Sequence, residues 1–267
     1  MQTIDKSRHV ALVTGASSGI GAIYADRLAR RGFDLILVAR SEAKLKTLAA
    51  RLQAETGRSI EVLAADLTAK EGVLRVEKQL ASDERIELLV NNAGIGATRP
   101  LVDSDADSLE DMIQLNVTSL TRLTRAVAPG LARRGKGAII NIASVVALAP
   151  ELLNGVYGGT KAFVLAFTQS LQHELAPQGI QVQAVLPGAT RTDFWEVSGK
   201  PVDELPGEIV MSAEDMVDAA LVGFDRKELV TIPALPDAGD WDRLEAARQA
   251  LGPNLSRASA AQRYQAA

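Results

Sequence analysis

Residues 9–32 read HVALVTGASSGIGAIYADRLARRG. A short aliphatic run, His9–Val13, meets a turn rich in glycine and serine, Gly15–Gly21. A helical pattern follows, with Ile20, Tyr24 and Leu28 four residues apart, and Gly32 stops it. The stretch is therefore a strand, a tight turn and a helix. Glycines let such a turn bring its backbone close to an anion. The N–H groups that open the helix, with the positive end of its dipole, then hold anionic oxygens. The spacing is G-x3-G-x-G, and no Gly-Lys-Ser/Thr follows, so this is not the phosphate loop of nucleotide hydrolases. Standing alone, the same residues also suit a plain strand–helix turn.

The alternation continues along the chain. Further apolar runs lie at Leu35–Val38, Ile60–Ala64, Leu88–Val90, Ala138–Ile142, Ile180–Val185 and Leu229–Ile232. Between them come helical patterns. Ser41 caps one that carries Leu45, Leu48, Ala49 and Leu52. Others cover Thr68–Leu80, Ser108–Ala132 as one long helix, Tyr157–Ala176 stopped by Pro177 and Gly179, Ser212–Phe224, and a stretch near Trp241–Leu251. Strands this apolar, separated by helices, predict an α/β fold. It is a doubly wound, Rossmann-type parallel sheet of about seven strands with helices on both faces. No linker is visible, so residues 1–267 are expected to form a single domain. Within it, residues 188–210, rich in turn formers, form a mobile substrate lid, and 233–267 a C-terminal extension.

Composition narrows the function. The chain has 267 residues, 47% hydrophobic and 23% charged, an ordinary globular balance. A net charge of -4 argues against nucleic-acid binding through a broad basic face. Without cysteine there are no disulfides, iron–sulfur ligation or thiolate catalysis. The two histidines, His9 and His173, are too few for a histidine-rich zinc site, and His173 reads as structural. No metal is expected. No apolar stretch approaches the roughly 20 residues that span a bilayer, and the N-terminus lacks a signal-peptide core. A cytoplasmic protein is the expectation.

Beyond the loop, several polar residues stand in a recognisable order. Thr14–Gly21 reads T-G-x3-G-x-G. Asn91-Asn92-Ala93-Gly94 follows the fourth strand. Then come Asn116, Ser144, Tyr157-x3-Lys161 and Pro187-Gly188-x3-Thr192. Ser144 stands thirteen residues before Tyr157. From about residue 8 to residue 195 the chain resembles the short-chain dehydrogenase/reductase family. The resemblance implies a nicotinamide cofactor and metal-free oxidation or reduction of an alcohol or carbonyl. It also implies a homodimer or homotetramer.

Tyr157 and Lys161, four apart in a helix, share one face. Hydride transfer to a carbonyl needs a proton donor at its oxygen, and Tyr157 suits general acid–base work. A nearby ammonium and an oxidised nicotinamide are expected to lower its pKa. By resemblance, Lys161 also holds the nicotinamide ribose, Ser144 bonds the substrate oxygen, and Asn116 holds a water that relays protons from Lys161. The cofactor would lie against Gly15, Ser17, Ser18, Gly19, Ile20 and Gly21. It would continue past Asp66 and Leu67 at the adenine, Asn92, Ala93 and Gly94, then Pro187, Gly188, Thr190 and Thr192 at the nicotinamide. Arg40, directly after the second strand, sits where an acid would favour NAD(H), so NADP(H) is expected. Ser18 departs from the basic residue that many NADP-preferring relatives carry there. Val146, Leu153, Phe194 and Trp195 are candidate substrate contacts, and their neighbours are apolar too, so an uncharged hydrophobic carbonyl or alcohol is expected. The alternatives are a non-catalytic NADP-sensing regulator, an NAD-dependent alcohol dehydrogenase, and an epimerase or dehydratase, for which the tail is short.

Overall fold

The computed structural model describes residues 9–265. Two compact units part after Pro233. In the first, the strands are β1 (Val10–Thr14), β2 (Asp34–Ala39), β3 (Ile60–Ala64), β4 (Ile86–Asn91), β5 (Gly137–Ile142), β6 (Ile180–Val185) and β7 (Val230–Thr231). They form one sheet in the order β3-β2-β1-β4-β5-β6-β7. Every pairing is parallel. The chain winds outward from β1 to β3, then returns across β1 to begin β4. A crevice therefore opens at the carboxyl ends of β1 and β4, where the winding reverses.

The first-unit helices are α1 (Gly19–Arg30), α2 (Glu42–Thr56), α3 (Lys70–Ser82), α4 (Ala106–Ile113), α5 (Leu120–Arg134), α6 (Gly155–Leu175), α7 (Phe194–Val197) and α8 (Ala213–Asp225). The sheet is buried on both faces because its strands are apolar at successive positions. Ala11 and Val13 of β1 pack with Tyr24 and Leu28 of α1, Leu45 and Leu52 of α2 and Val217 of α8. Val10 and Leu12 point the other way, into a core with Val76 of α3, Leu123 and Val127 of α5 and Leu171 of α6. The doubly wound parallel sheet expected from the alternation is the fold observed.

The single helix read over Ser108–Ala132 is not uniform. A π-helical turn, Gln114–Ser119, separates α4 from α5. Apolar periodicity continues on both sides, so the pattern does not reveal one wide turn between them. That turn carries Asn116, whose side chain is bonded to the backbone of another segment. Such turns concentrate at functional sites. Helix α6 begins at Gly155, two residues before the expected start, because Asn154 caps it.

The second unit, from Ala234, holds α9 (Ala238–Ala250), capped where Asp237 accepts from Gly239 N–H. No described residue of α9 is buried. No described helix is long and apolar enough to cross a membrane. Among the described residues no His, Asp or Glu cluster could hold a metal.

Candidate active site

The crevice is pinned by Thr14. Its Oγ1 accepts from the N–H groups of Asn92 and Ala93, both at 3.0 Å, and donates to the Val90 carbonyl at 3.3 Å. Asn92 Nδ2 donates in turn to the Thr14 carbonyl at 2.9 Å and the Gly15 carbonyl at 3.2 Å. The glycine turn is thereby stitched to the end of β4. Gly15 has φ of +65° and a side chain there would meet Asn92 Nδ2 at 2.7 Å and Ala93 Cα at 2.9 Å. At Gly21 a Cβ would lie 2.3 Å from the Gly15 carbonyl oxygen. Gly19, with φ of +52°, faces Thr192 across the crevice.

The start of α1 is open. Ser18 stands at its N-cap but makes no side-chain cap, and no acid lies in the first turn. By contrast Ser41, Asp105, Asn154 and Ser212 cap α2, α4, α6 and α8 with their side chains. Half-buried Ser17, Ser18, Gly19 and Ile20 line this N-terminus. Its uncapped N–H donors fit an anionic pyrophosphate. Arg40 is exposed directly after β2. Past β3, Asp66 is exposed and accepts from Thr68 N–H and Oγ1, while Leu67 is buried and its carbonyl accepts from Ser119 Oγ at 2.6 Å. At the far end, Pro187 accepts from Val145 N–H, Thr190 Oγ1 donates to the Gly188 carbonyl, and the space over Gly188 is open. Extended along these strand ends, the expected positions fit a dinucleotide.

The four polar candidates converge. Ser144 ends the β5 segment, buried, with its Oγ 3.4 Å from the Pro187 carbonyl. Tyr157 and Lys161 rise from α6, both buried, with Lys161 Nζ 5.8 Å from the centre of the Tyr157 ring. Lys161 Nζ donates to the Ile142 carbonyl at 2.9 Å. Asn116 is spanned by three bonds. Its Oδ1 accepts from Ile95 N–H at 3.0 Å, and its Nδ2 donates to the Ile95 carbonyl at 2.8 Å and to Thr160 Oγ1 at 3.1 Å. A Cβ on Gly94 would lie 3.1 Å from Asn116 Oδ1 and 3.6 Å from Lys161 Nζ. Gly94 therefore lies close against both groups.

Burial, not charge, dominates the titration. Tyr157 is pushed up to about 12 by desolvation, with a hydrogen bond to Ser144 pulling the other way. Lys161 is pushed down to about 8 by desolvation alone. The protein by itself thus raises the tyrosine that its lysine was expected to lower. Both groups are taken out of water, and each is driven toward its neutral form.

An apolar cluster adjoins the tyrosine. Buried Met112, Val146 and Tyr157 pack with Ile95, Ala97, Leu109, Leu153, Val156 and Phe194. The Phe194 ring centre lies 5.7 Å from that of Tyr157. Trp195 stands outside this group. Its indole N–H donates to the Thr190 carbonyl at 2.9 Å, which anchors α7. Ser198, just after α7, accepts at its carbonyl from Thr98 Oγ1 at 2.7 Å and from Thr98 N–H. Ile95, Ala97, Leu109 and Met112 were not legible in the sequence, although the first two lie within three residues of Gly94 and the others precede Asn116 on α4. His173 is exposed on the outer part of α6.

A sequence model of the short chain dehydrogenase family matches residues 9–202. The chain belongs to the short-chain dehydrogenase family. A very-long-chain 3-oxoacyl-CoA reductase (form A) of Danio rerio is 38% identical over 208 residues, 76% of this chain and 65% of that relative. The chain thus spans just under two thirds of that curated relative. A short-chain dehydrogenase from Sphingobium yanoikuyae, solved in complex with NADPH, has a TM-score of 0.94 and 53% identity, covering 96% of this chain and 100% of that one. A bulky-bulky ketone specific alcohol dehydrogenase from Comamonas testosteroni has a TM-score of 0.89 and 50% identity, covering 97% and 99%. The family is one of oxidoreductases, and the sheet order described above is the fold these dehydrogenases share.

Proposed function

We propose that this dehydrogenase transfers a hydride between NADP(H) and a bulky, uncharged ketone or its secondary alcohol. One observation carries the reading: a buried tyrosine, flanked by Ser144 and Lys161, packs against a cluster of apolar side chains. A sugar or a keto acid brought against these side chains would lose hydration that they cannot replace. The NADPH complex of the Sphingobium yanoikuyae relative and the ketone specificity of the Comamonas testosteroni relative support the cofactor and substrate class.

When bound, the cofactor supplies or takes the hydride. The chain orients the substrate and handles the proton. Ser144 Oγ donates to the carbonyl oxygen and stabilises the charge that develops there. Tyr157, a protonated phenol at neutral pH, donates its proton to that same oxygen. Lys161 places a cation beside the ring, favouring the phenolate left behind. Asn116 would hold a water that returns a proton through Lys161.

Two measurements test this. Fluorescence titration is expected to show tighter binding of NADPH than of NADH. NADPH oxidation with a diaryl ketone is expected to fall by about 10²–10⁴-fold in Tyr157→Phe, with NADPH binding retained. Equal turnover by the phenylalanine variant would remove the proton-donor role. Faster turnover of polar sugars than of diaryl ketones would remove the substrate class.

A further inference from the structure

Asn154 is a buried amide, 4% exposed, three residues before Tyr157. All four of its side-chain hydrogen-bonding positions are used. Oδ1 accepts from Val156 N–H at 2.9 Å and Tyr157 N–H at 3.4 Å. Nδ2 donates to the Arg99 carbonyl at 2.7 Å and to Ser104 Oγ at 3.3 Å. Only one orientation of the amide satisfies this set, because the reverse would point its N–H groups at two other N–H donors.

The two halves of the amide grip different parts of the site. Its oxygen caps the first turn of α6, which reads Gly155-Val156-Tyr157-Gly158-Gly159. Three glycines in five residues make this the weakest helical turn that could carry a reacting side chain. The backbone N–H groups of such a turn have no partner inside the helix, so the cap decides whether the turn holds. The nitrogen of the amide holds the segment 95–104. That segment contributes Ile95 and Ala97 to the apolar cluster around Tyr157, and Thr98 ties it to Ser198 beyond α7. Its outer part carries Leu101 and Val102, which are exposed.

We propose that Asn154 is a positioning residue with two separable tasks. Through its oxygen it fixes the helical turn that aims Tyr157, and through its nitrogen it fixes the segment that carries Ile95 and Ala97 against the tyrosine, where substrate would be held. The proposal rests on the reading of Tyr157 as proton donor.

Asn154→Ser keeps an acceptor at the cap and removes both donors, whereas Asn154→Ala removes all four bonds. With NADPH and a diaryl ketone, the serine variant is expected to raise KM about tenfold while kcat falls less than about threefold, since that segment is freed and the tyrosine stays aimed. The alanine variant is expected to lower kcat by a further factor of about ten or more. Amide hydrogen exchange separates the tasks without turnover. The serine variant should lose protection only over 99–104, and the alanine variant also over 155–159. Identical kinetics in the two variants, or protection of 155–159 unchanged in Asn154→Ala, would overturn the proposal. If Tyr157→Phe kept full activity, the proton-donor reading would fall. The exchange arm would still decide whether Asn154 holds the turn.

Discussion

Replacing Lys161 by methionine should stabilise this enzyme at neutral pH while disabling it. The ammonium is buried, and desolvation lowers its pKa from 10.5 to about 8. That fall corresponds to about 3 kcal/mol by which folding disfavours the charged form. Below pH 8 the lysine is charged in both folded and unfolded chains, so the whole penalty is present. Between pH 8 and 10.5 the folded chain gives up its proton first, the unfolded chain binds more protons, and stability rises with pH. Above that window the penalty is gone. Methionine has nearly the same length and no charge, so it removes the penalty. It also leaves the Ile142 carbonyl without its 2.9 Å donor, a loss of about 1–2 kcal/mol for a buried acceptor. The net expectation at pH 7 is a gain of about 1–2 kcal/mol, changing to a loss of similar size above pH 10.5. Urea denaturation of both proteins at pH 7 and at pH 10.5 measures the difference directly. A difference that is the same at both values would refute the argument, because it would mean that Lys161 is not penalised by burial. Turnover of a diaryl ketone should fall by about 10²-fold or more in the same variant.

Other outcomes follow from the crevice. Gly21→Ala would drive a Cβ to 2.3 Å from the Gly15 carbonyl, and backbone cannot step aside, so a large fall in Tm is expected in thermal melts. Gly19→Ala meets only the Thr192 side chain, at 3.1 Å, and adds the strain of φ +52°. It should cost about 1–2 kcal/mol and leave a folded protein with weaker NADPH binding in fluorescence titration. Arg40→Ala should weaken NADPH binding about tenfold or more and leave NADH binding unchanged, since only a 2′-phosphate needs the guanidinium. Equal weakening toward both cofactors would place Arg40 away from the ribose.

Much of the site was legible because its chemistry lies in local strings. The turn Gly15–Gly21, the pair Tyr157 and Lys161, and Ser144 at a strand end are each short patterns that can be picked out by residue type and spacing. Asn116 was legible only as a member of the ordered set. Its π-helical turn was not, because one extra residue in a wide turn leaves the apolar rows on either side intact. The upward shift of Tyr157 in the chain alone was not legible for a related reason. Spacing places an ammonium near a phenol, but only packing tells how far water is excluded from both. Ile95, Ala97, Leu109 and Met112 were hidden because each is an ordinary apolar residue whose meaning depends on what it faces.

By itself the sequence determined the parallel sheet and the polar residues to look for beside it. Strands buried on both faces are mostly apolar, and a backbone that closes tightly at a turn favours glycine, so both requirements are written in composition and spacing. The tertiary structure alone decided the strand order, the burial of the pair, the make-up of the apolar cluster and the double grip of Asn154. These depend on which groups meet across about 50 residues of chain, and on how completely water is removed where they meet.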